Sequence, residues 1–288
     1  DMKLEDFQIE LKQLPGAMPV WRGRVDAQQW SAACRQVRDK GGRLVALWGG
    51  ERAPGFAVHA ALATADGLLV LTLPVPHERP SYHGIGAIFP AAGRLQRAAY
   101  DMLGIEAQGA GDRRPWLRHA AWPAGEYPLR NDFDGTHNYA PGTDDYAFVP
   151  VSGGGVHEIP VGPVHAGTIE PGHFRFSIIG ERVLRLEERL GYKHKGIEKR
   201  FVGMTLDEGA RLAARVSGDS TVAYGWAYAM AAESACGATP PPRAAWLRAL
   251  LLERERIANH LGDLGFIGND AGLAFGLSQF SLLKEDML

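Results

Sequence analysis

The segment RVSGDS, Arg215–Ser220, places two hydroxyls and a carboxylate within four residues: Ser217, Asp219 and Ser220, around Gly218. Oxygen donors of this kind suit a hard cation. The same residue types are preferred caps for the first turn of a helix, and on the residues alone both roles stand. With cysteine at the two serine positions, the segment would offer a pair of thiolates, the donors a soft transition metal needs. A serine hydroxyl is harder and stays protonated at neutral pH. Arg215 keeps its charge when buried and could face a carboxylate or a cluster in a partner. Upstream, TIEPGHFR sets Glu170 before Pro171-Gly172. It is either a surface carboxylate at a turn or, in a partly dry cleft, a proton relay with a raised pKa. His165 and His173 flank that strand; His165 is a cleft candidate and His173 is read as structural. YKHKGIEK adds His194 and Glu198 on a basic turn. In ERERIANH, Glu253, Arg256 and His260 stand three and four apart, a spacing for ion pairs along a helix.

These groups need elements to hold them. The 288 residues are 45% hydrophobic and 22% charged, ordinary for a globular chain of about two domains. A net charge of -2 gives no footprint for nucleic acid. No apolar run is long enough to span a bilayer, and the charged start DMKLEDFQIE is not a signal peptide. Cys34 and Cys236 lack disulfide-framework or metal spacing and read as two buried free thiols in a reducing, cytoplasmic compartment.

Asp26 can cap a helix through AQQWSAACRQVRDK that stops at Gly41-Gly42. RLVALW, FAVHAALA and LLVLTLPV follow, the last two joined by the turn signal TADG into a hairpin. FPAAGRLQRAAYDMLG reads as a helix with Pro90 in its first turn and Gly104 at its stop. VPVSGGGVHEIP looks like a linker. In GHFRFSIIGERVLRLEERLGY, the alternation of Phe174, Phe176 and Ile178 with polar residues predicts a half-buried antiparallel hairpin turning at IGE. Thr205 and Glu208 form a capping box for LDEGARLAARV. A second helix runs through TVAYGWAYAMAAESA, and a long one spans about Arg243 to Leu264, with Trp246, Leu250, Ile257, Leu261 and Leu264 on one apolar stripe. The last residues, SLLKEDML, lack a helix stop and read as a helix cut in the middle, the mark of a truncated chain.

Two stretches resemble known families. In LQRAAYDMLGIEAQ…RRPWLRHAAWPAGEYPLRNDF, a set of residues follows the pattern of the C-type subunit of respiratory NADH:quinone oxidoreductase, complex I. They are Asp101, Gly104, Ile105, Arg113, Arg114, Trp122, Gly125, Pro128, Leu129, Arg130, Asp132 and Phe133. The second stretch runs from VGPVHAGTIEPGHFRF through LGYKHKGIEKRF to PPPRAAWLRALLLERERIANHL. It resembles the D-type subunit of complex I and, more closely, the large subunit of membrane-bound nickel–iron hydrogenases of the formate-hydrogenlyase kind. Those hydrogenases often fuse the two regions in this order.

The resemblance implies an α+β fold. Residues 1–150 would form an α/β domain like the C-type subunit, 151–160 a linker, and 161–288 the first half of a domain like the D-type subunit or hydrogenase large subunit, in which a small antiparallel sheet leads into a helical bundle. It implies membership of a membrane-associated oxidoreductase complex, peripheral on the inner face of the plasma membrane. Its partners would be a B-type iron–sulfur subunit with a 4Fe-4S cluster and the membrane-arm subunits. Hydrogenases carry R-x-C-G-x-C where this chain has Arg215–Ser220, and their cysteines hold nickel. With Ser217 and Ser220 there, the resemblance implies no metal ligand and no ordinary NiFe centre, and the chain alone is expected to bind no cofactor and show no redox activity. In complex I a tyrosine that helps bind the quinone headgroup falls on Gly218. The second histidine of its loop falls on Ile169, while His165 matches the first. Glu170 corresponds to the hydrogenase glutamate that relays protons. His194 and Glu198 would lie toward the iron–sulfur partner, and the ERERIANH helix would lie in a core, with some of its charges buried and paired. Three readings follow: a redox subunit lining a substrate cavity; a non-catalytic subunit that couples a partner's redox events to ion-translocating membrane subunits; and, ranked last, a hydrogenase with unusual ligands.

Overall fold

The computed structural model describes residues 7–140, 142–165 and 170–288. They fall into two compact units. One contains the residues up to Gln13 and Pro19–Lys199; the other contains Leu14–Met18 and Arg200–Leu288.

In the first unit, a five-stranded sheet has the order β1-β2-β5-β4-β3, with β1 Leu11–Leu14, β2 Val20–Arg24, β3 Arg43–Arg52, β4 Gly55–Thr64 and β5 Gly67–Val75. β2 and β5 run parallel, and β3, β4 and β5 form an antiparallel meander. The predicted hairpin therefore forms at TADG. Gly67 has φ of 122°, and a Cβ there would sit 2.4 Å from the Pro19 carbonyl, so only glycine fits this turn. The predicted first helix, α1 (Ala27–Asp39), carries a full capping box: Asp26 Oδ1 accepts from the Gln28 and Gln29 amides at 2.8 Å, and the Gln29 side chain accepts from the Asp26 amide at 3.1 Å. Its apolar face, Trp30, Cys34 and Val37, packs with Val58, Leu62, Leu69 and Leu71 from one face of the sheet. Burial of each large side chain contributes about 1.5–3 kcal/mol. The second helix, α2 (Ala92–Leu103), stops at left-handed Gly104, as predicted, but its N-cap is Ala91, so Pro90 stands just outside the first turn and not within it. β6 (Ser81–His83) and β7 (Glu106–Gln108) form a small parallel pair that the sequence pattern did not indicate.

Three further strands complete this unit: β8 (His157–Val161), β9 (His173–Ile179) and β10 (Arg182–Arg189), ordered β10-β9-β8 and antiparallel. The hairpin turns at Gly180, as predicted. Two expectations change. The last four residues of the expected linker 151–160 are ordered in β8. The sheet also buries its polar face, not its apolar one: Ser177, Glu187 and Arg189 are enclosed, while Ile159, Val161, Leu184 and Leu186 stay exposed. The reason is an ionic joint. Arg114 reaches Glu187 at 3.0 Å and Asp112 at 2.7 Å, and Arg189 reaches Asp144 at 3.0 Å. The guanidinia of Arg97, Arg114 and Arg189 surround the Tyr146 ring at 5.9, 4.8 and 4.1 Å.

The second unit is helical: α4 (Leu206–Ala213), α5 (Thr221–Cys236), α6 (Pro242–Asp270) and α7 (Ala274–Met287), preceded by one turn, α3 (Ile197–Arg200), at the division. The Thr205–Glu208 capping box is present. α6 runs six residues beyond its predicted end, because its internal glycines lie under α7: a Cβ on Gly265 would meet Leu277 and Phe280 at 3.3 Å. The apolar stripe of α6 is open, with Trp246 78% and Leu250 60% exposed. Of the ERERIANH charges expected in a core, Glu253, Arg256 and His260 are exposed, with Glu253 and Arg256 paired at 3.2 Å on the surface, while Glu255 is half-buried. Among the described residues no helix is long and apolar enough to cross a membrane.

Candidate functional site

The serine loop joins α4 to α5. Ser217 is extended (φ −144°, ψ 133°), and Gly218–Ser220 form a single 3₁₀ turn, closed by Ser220 N donating to Ser217 O at 3.3 Å. Neither serine caps α5 through its side chain, although the pattern favoured Ser220 or Asp219 for that role. The cap comes from α6 instead. Glu255 accepts from the Val222 amide at 2.5 Å and the Ala223 amide at 3.1 Å, bringing a carboxylate to the positive end of α5. One turn further along α6, Asn259 Nδ2 donates to the Asp219 carbonyl at 2.5 Å. Two α6 side chains thus clamp the loop. Both lie inside ERERIANH, where the spacing argument selected only Glu253, Arg256 and His260. No local signal pointed to them: the loop offers cap-type side chains of its own, and only the folded helix start shows them unused and its amides satisfied from elsewhere.

The clamp decides what the loop can offer. Ser217 and Ser220 are half-buried and Asp219 is exposed. Asp219 spends its carbonyl on Asn259, and Gly218 spends its own on the Thr221 hydroxyl at 3.3 Å. Arg215 is exposed, and among the described residues it makes no ion pair. Among the described residues no three His, Cys, Asp or Glu side chains stand together as a metal cluster. Two hydroxyls and one carboxylate are a hard donor set and do not fit the soft thiolate coordination that nickel would take here.

The remaining candidates lie in the first unit. His165 Nε2 is paired with the Gly172 carbonyl at 2.7 Å, and His173 Nδ1 with the Gly162 carbonyl at 3.2 Å. The Gly172 amide donates to the Pro163 carbonyl at 3.0 Å, so 162–165 and 172–173 are laced together at the mouth of β9. Glu170 follows directly on the undescribed residues and is exposed; Ile169 lies outside the described residues. His194 sits against Trp122, with ring centroids 6.5 Å apart. Burial holds its pKa below the ordinary imidazole value, with Glu198 pulling the other way. Glu198 is thus near enough to His194 to act on its charge.

The other motif residues have structural work. Asp101, 5% exposed, accepts from the Trp116 and Leu117 amides at 2.6 Å and from the Arg118 amide at 3.4 Å, tying α2 to the following loop. Arg130 Nε donates to the Leu103 carbonyl at 2.9 Å while its guanidinium lies 4.3 Å over Tyr127. A Cβ on Gly104 would come within 2.6 Å of that ring. Lys199 Nζ in turn donates to the Arg130 carbonyl at 2.7 Å. Of the two cysteines, Cys34 is buried, with its thiol pushed up to about 12 by desolvation. Cys236 is exposed, against the expectation of two buried thiols. It ends α5, a helix whose packed residues are half-buried and none fully enclosed.

Residues 23–139 match the family described as respiratory-chain NADH dehydrogenase, 30 Kd subunit. The chain is 34% identical over 257 residues to formate hydrogenlyase subunit 5 of Escherichia coli K12, an alignment covering 85% of this chain and 45% of that protein. It is 36% identical over 237 residues to hydrogenase-4 component G of the same organism, covering 80% and 43%. It is 28% identical over 231 residues to the C/D subunit of NADH-quinone oxidoreductase from Phocaeicola vulgatus, covering 74% and 44%. The chain therefore spans less than half the length of these relatives. Its N-terminal domain match, continued into relatives that fuse the C and D regions, identifies the chain as a member of the C/D-type subunit family shared by complex I and membrane-bound hydrogenases.

Proposed function

We propose that the chain is the C-type region, 1–150, and the first part of the D-type region, 161–288, of a subunit in a membrane-associated oxidoreductase complex. The observation that carries this reading is the open apolar surface. On the helices, Trp246, Leu250, Ile267 and Phe275 are 60–78% exposed. Ile159, Leu184 and Leu186 are open on the small sheet. Large apolar side chains left open on each unit are what a surface covered by further polypeptide carries. The partners are a B-type iron–sulfur subunit with a 4Fe-4S cluster, near His194 and Glu198, and membrane-arm subunits that hold the complex on the cytoplasmic face of the membrane. Glu170 and His165 are the proton-handling groups, and Arg215–Ser220 line the cavity without thiolate ligands for nickel.

The second reading is a coupling subunit without its own chemistry. It is favoured by the Glu255–Asn259 clamp, which gives the serine loop a mechanical tie to α6. Donor-to-quinone turnover of the purified complex separates the two. A Glu170→Gln variant that assembles normally and loses turnover supports the catalytic reading. Unchanged turnover in that variant rules out the Glu170 relay and leaves coupling.

A further inference from the structure

The five-stranded sheet has a second face. α1 and α2 cover the side that carries Val58, Leu62, Leu69 and Leu71. Strand alternation turns the other residues away from that core. The register then sets Arg24, Thr72, His59 and Trp48 in one row across β2, β5, β4 and β3. At the end of the sheet this face opens into a cavity of about 690 Å³. Its floor is small and flat, Ala57 and Pro74, and its charged lining is Lys12, Arg22, Arg24 and Arg52 against one carboxylate, Glu10. Among the described residues none of the four cations is in an ion pair. Arg22 Nε touches the Thr72 hydroxyl at 3.4 Å, and His59 Nδ1 meets the same hydroxyl at 3.1 Å. The indole of Trp48 stacks on the His59 ring at 5.1 Å and is 39% exposed.

We propose that this concavity binds a small molecule bearing a diphosphate group. The volume falls in the range of ligand pockets. Guanidinia converging on a concave surface match phosphate oxygens in geometry and charge, and clustered cations in a cleft focus an attractive field. The field is already felt inside the fold: burial, then Arg22 and Arg52, lower the His59 pKa to about 4. A bound dianion would offset those arginines and bring His59 back toward its ordinary value. Small floor residues leave room for phosphate to approach the backbone.

The test is calorimetric titration of the 288-residue chain with pyrophosphate and, separately, ADP, alongside an NMR titration of the His59 ring. The expected result is saturable one-to-one binding of both probes and an upward shift of the His59 midpoint with pyrophosphate present. Arg24→Gln and Arg52→Gln should each weaken binding roughly tenfold. Arg113→Gln, at an exposed arginine paired with Glu106 elsewhere, should leave binding unchanged. All of these are surface substitutions compatible with folding. Absence of saturable binding at millimolar pyrophosphate overturns the proposal. So does binding that survives the Arg24→Gln, Arg52→Gln pair, or a His59 midpoint indifferent to the ligand.

Discussion

Glu255 shows how one residue can hold a loop that sequence patterning assigned to its own side chains. Its carboxylate satisfies two amides that Ser220 and Asp219 leave open. Glu255→Ala should cost about 1–2 kcal/mol in urea unfolding, the range for lost helix caps. Ser220→Ala should stay within about 0.5 kcal/mol. A larger loss at Ser220 would restore the local cap and remove the clamp. Asp101 is a second case: Asp101→Ala strands three amides and should cost on the order of 2 kcal/mol or more. A loss within the scatter of surface substitutions would contradict that. The cysteines give a chemical check. Cys34, buried and held protonated near neutrality, should resist alkylation until the chain unfolds, while Cys236 should label at once. Simultaneous labelling of both in the folded chain would contradict the structure.

Among the elements, the strands and helices with strong local signals were legible: Asp26 as a cap, Thr205 with Glu208, the TADG hairpin and Gly104 all act as their residue types predict. What was not legible depends on distant partners. The Arg/Glu/Tyr146 joint turns the β9–β10 sheet over, so that Glu187 and Arg189 are enclosed and Leu186 is open. Strand alternation cannot show this, because it fixes two faces without saying which one is covered. The serine loop was placed correctly between two helices, but its ties to Glu255 and Asn259 lie 33 and 40 residues away. The main sheet also sets a pH dependence. The folded His59 pKa, about 4, lies below its ordinary 6.5, so the unfolded chain binds the proton more readily between those values. Stability from this site is complete above pH 6.5 and is lost as pH falls toward 4. Urea midpoints at pH 5 and pH 7 should therefore differ in wild type and converge in His59→Gln. A wild-type midpoint that rises on acidification would have the wrong sign.

Large apolar side chains stand open on both units, as the proposed place in a larger assembly requires. The chain by itself should self-associate, and co-expression with the proposed iron–sulfur and membrane-arm subunits should remove that tendency. Size-exclusion profiles that are monomeric alone and unchanged by partners would contradict the interface reading. We propose that this C/D-type scaffold, with Ser217 and Ser220 at the positions of the hydrogenase nickel thiolates, works without an ordinary nickel–iron centre. Nickel determination on the purified complex, paired with a hydrogen-uptake assay on the same sample, tests it most directly. The expected result is substoichiometric nickel and no uptake. One nickel per complex with hydrogen uptake would contradict it.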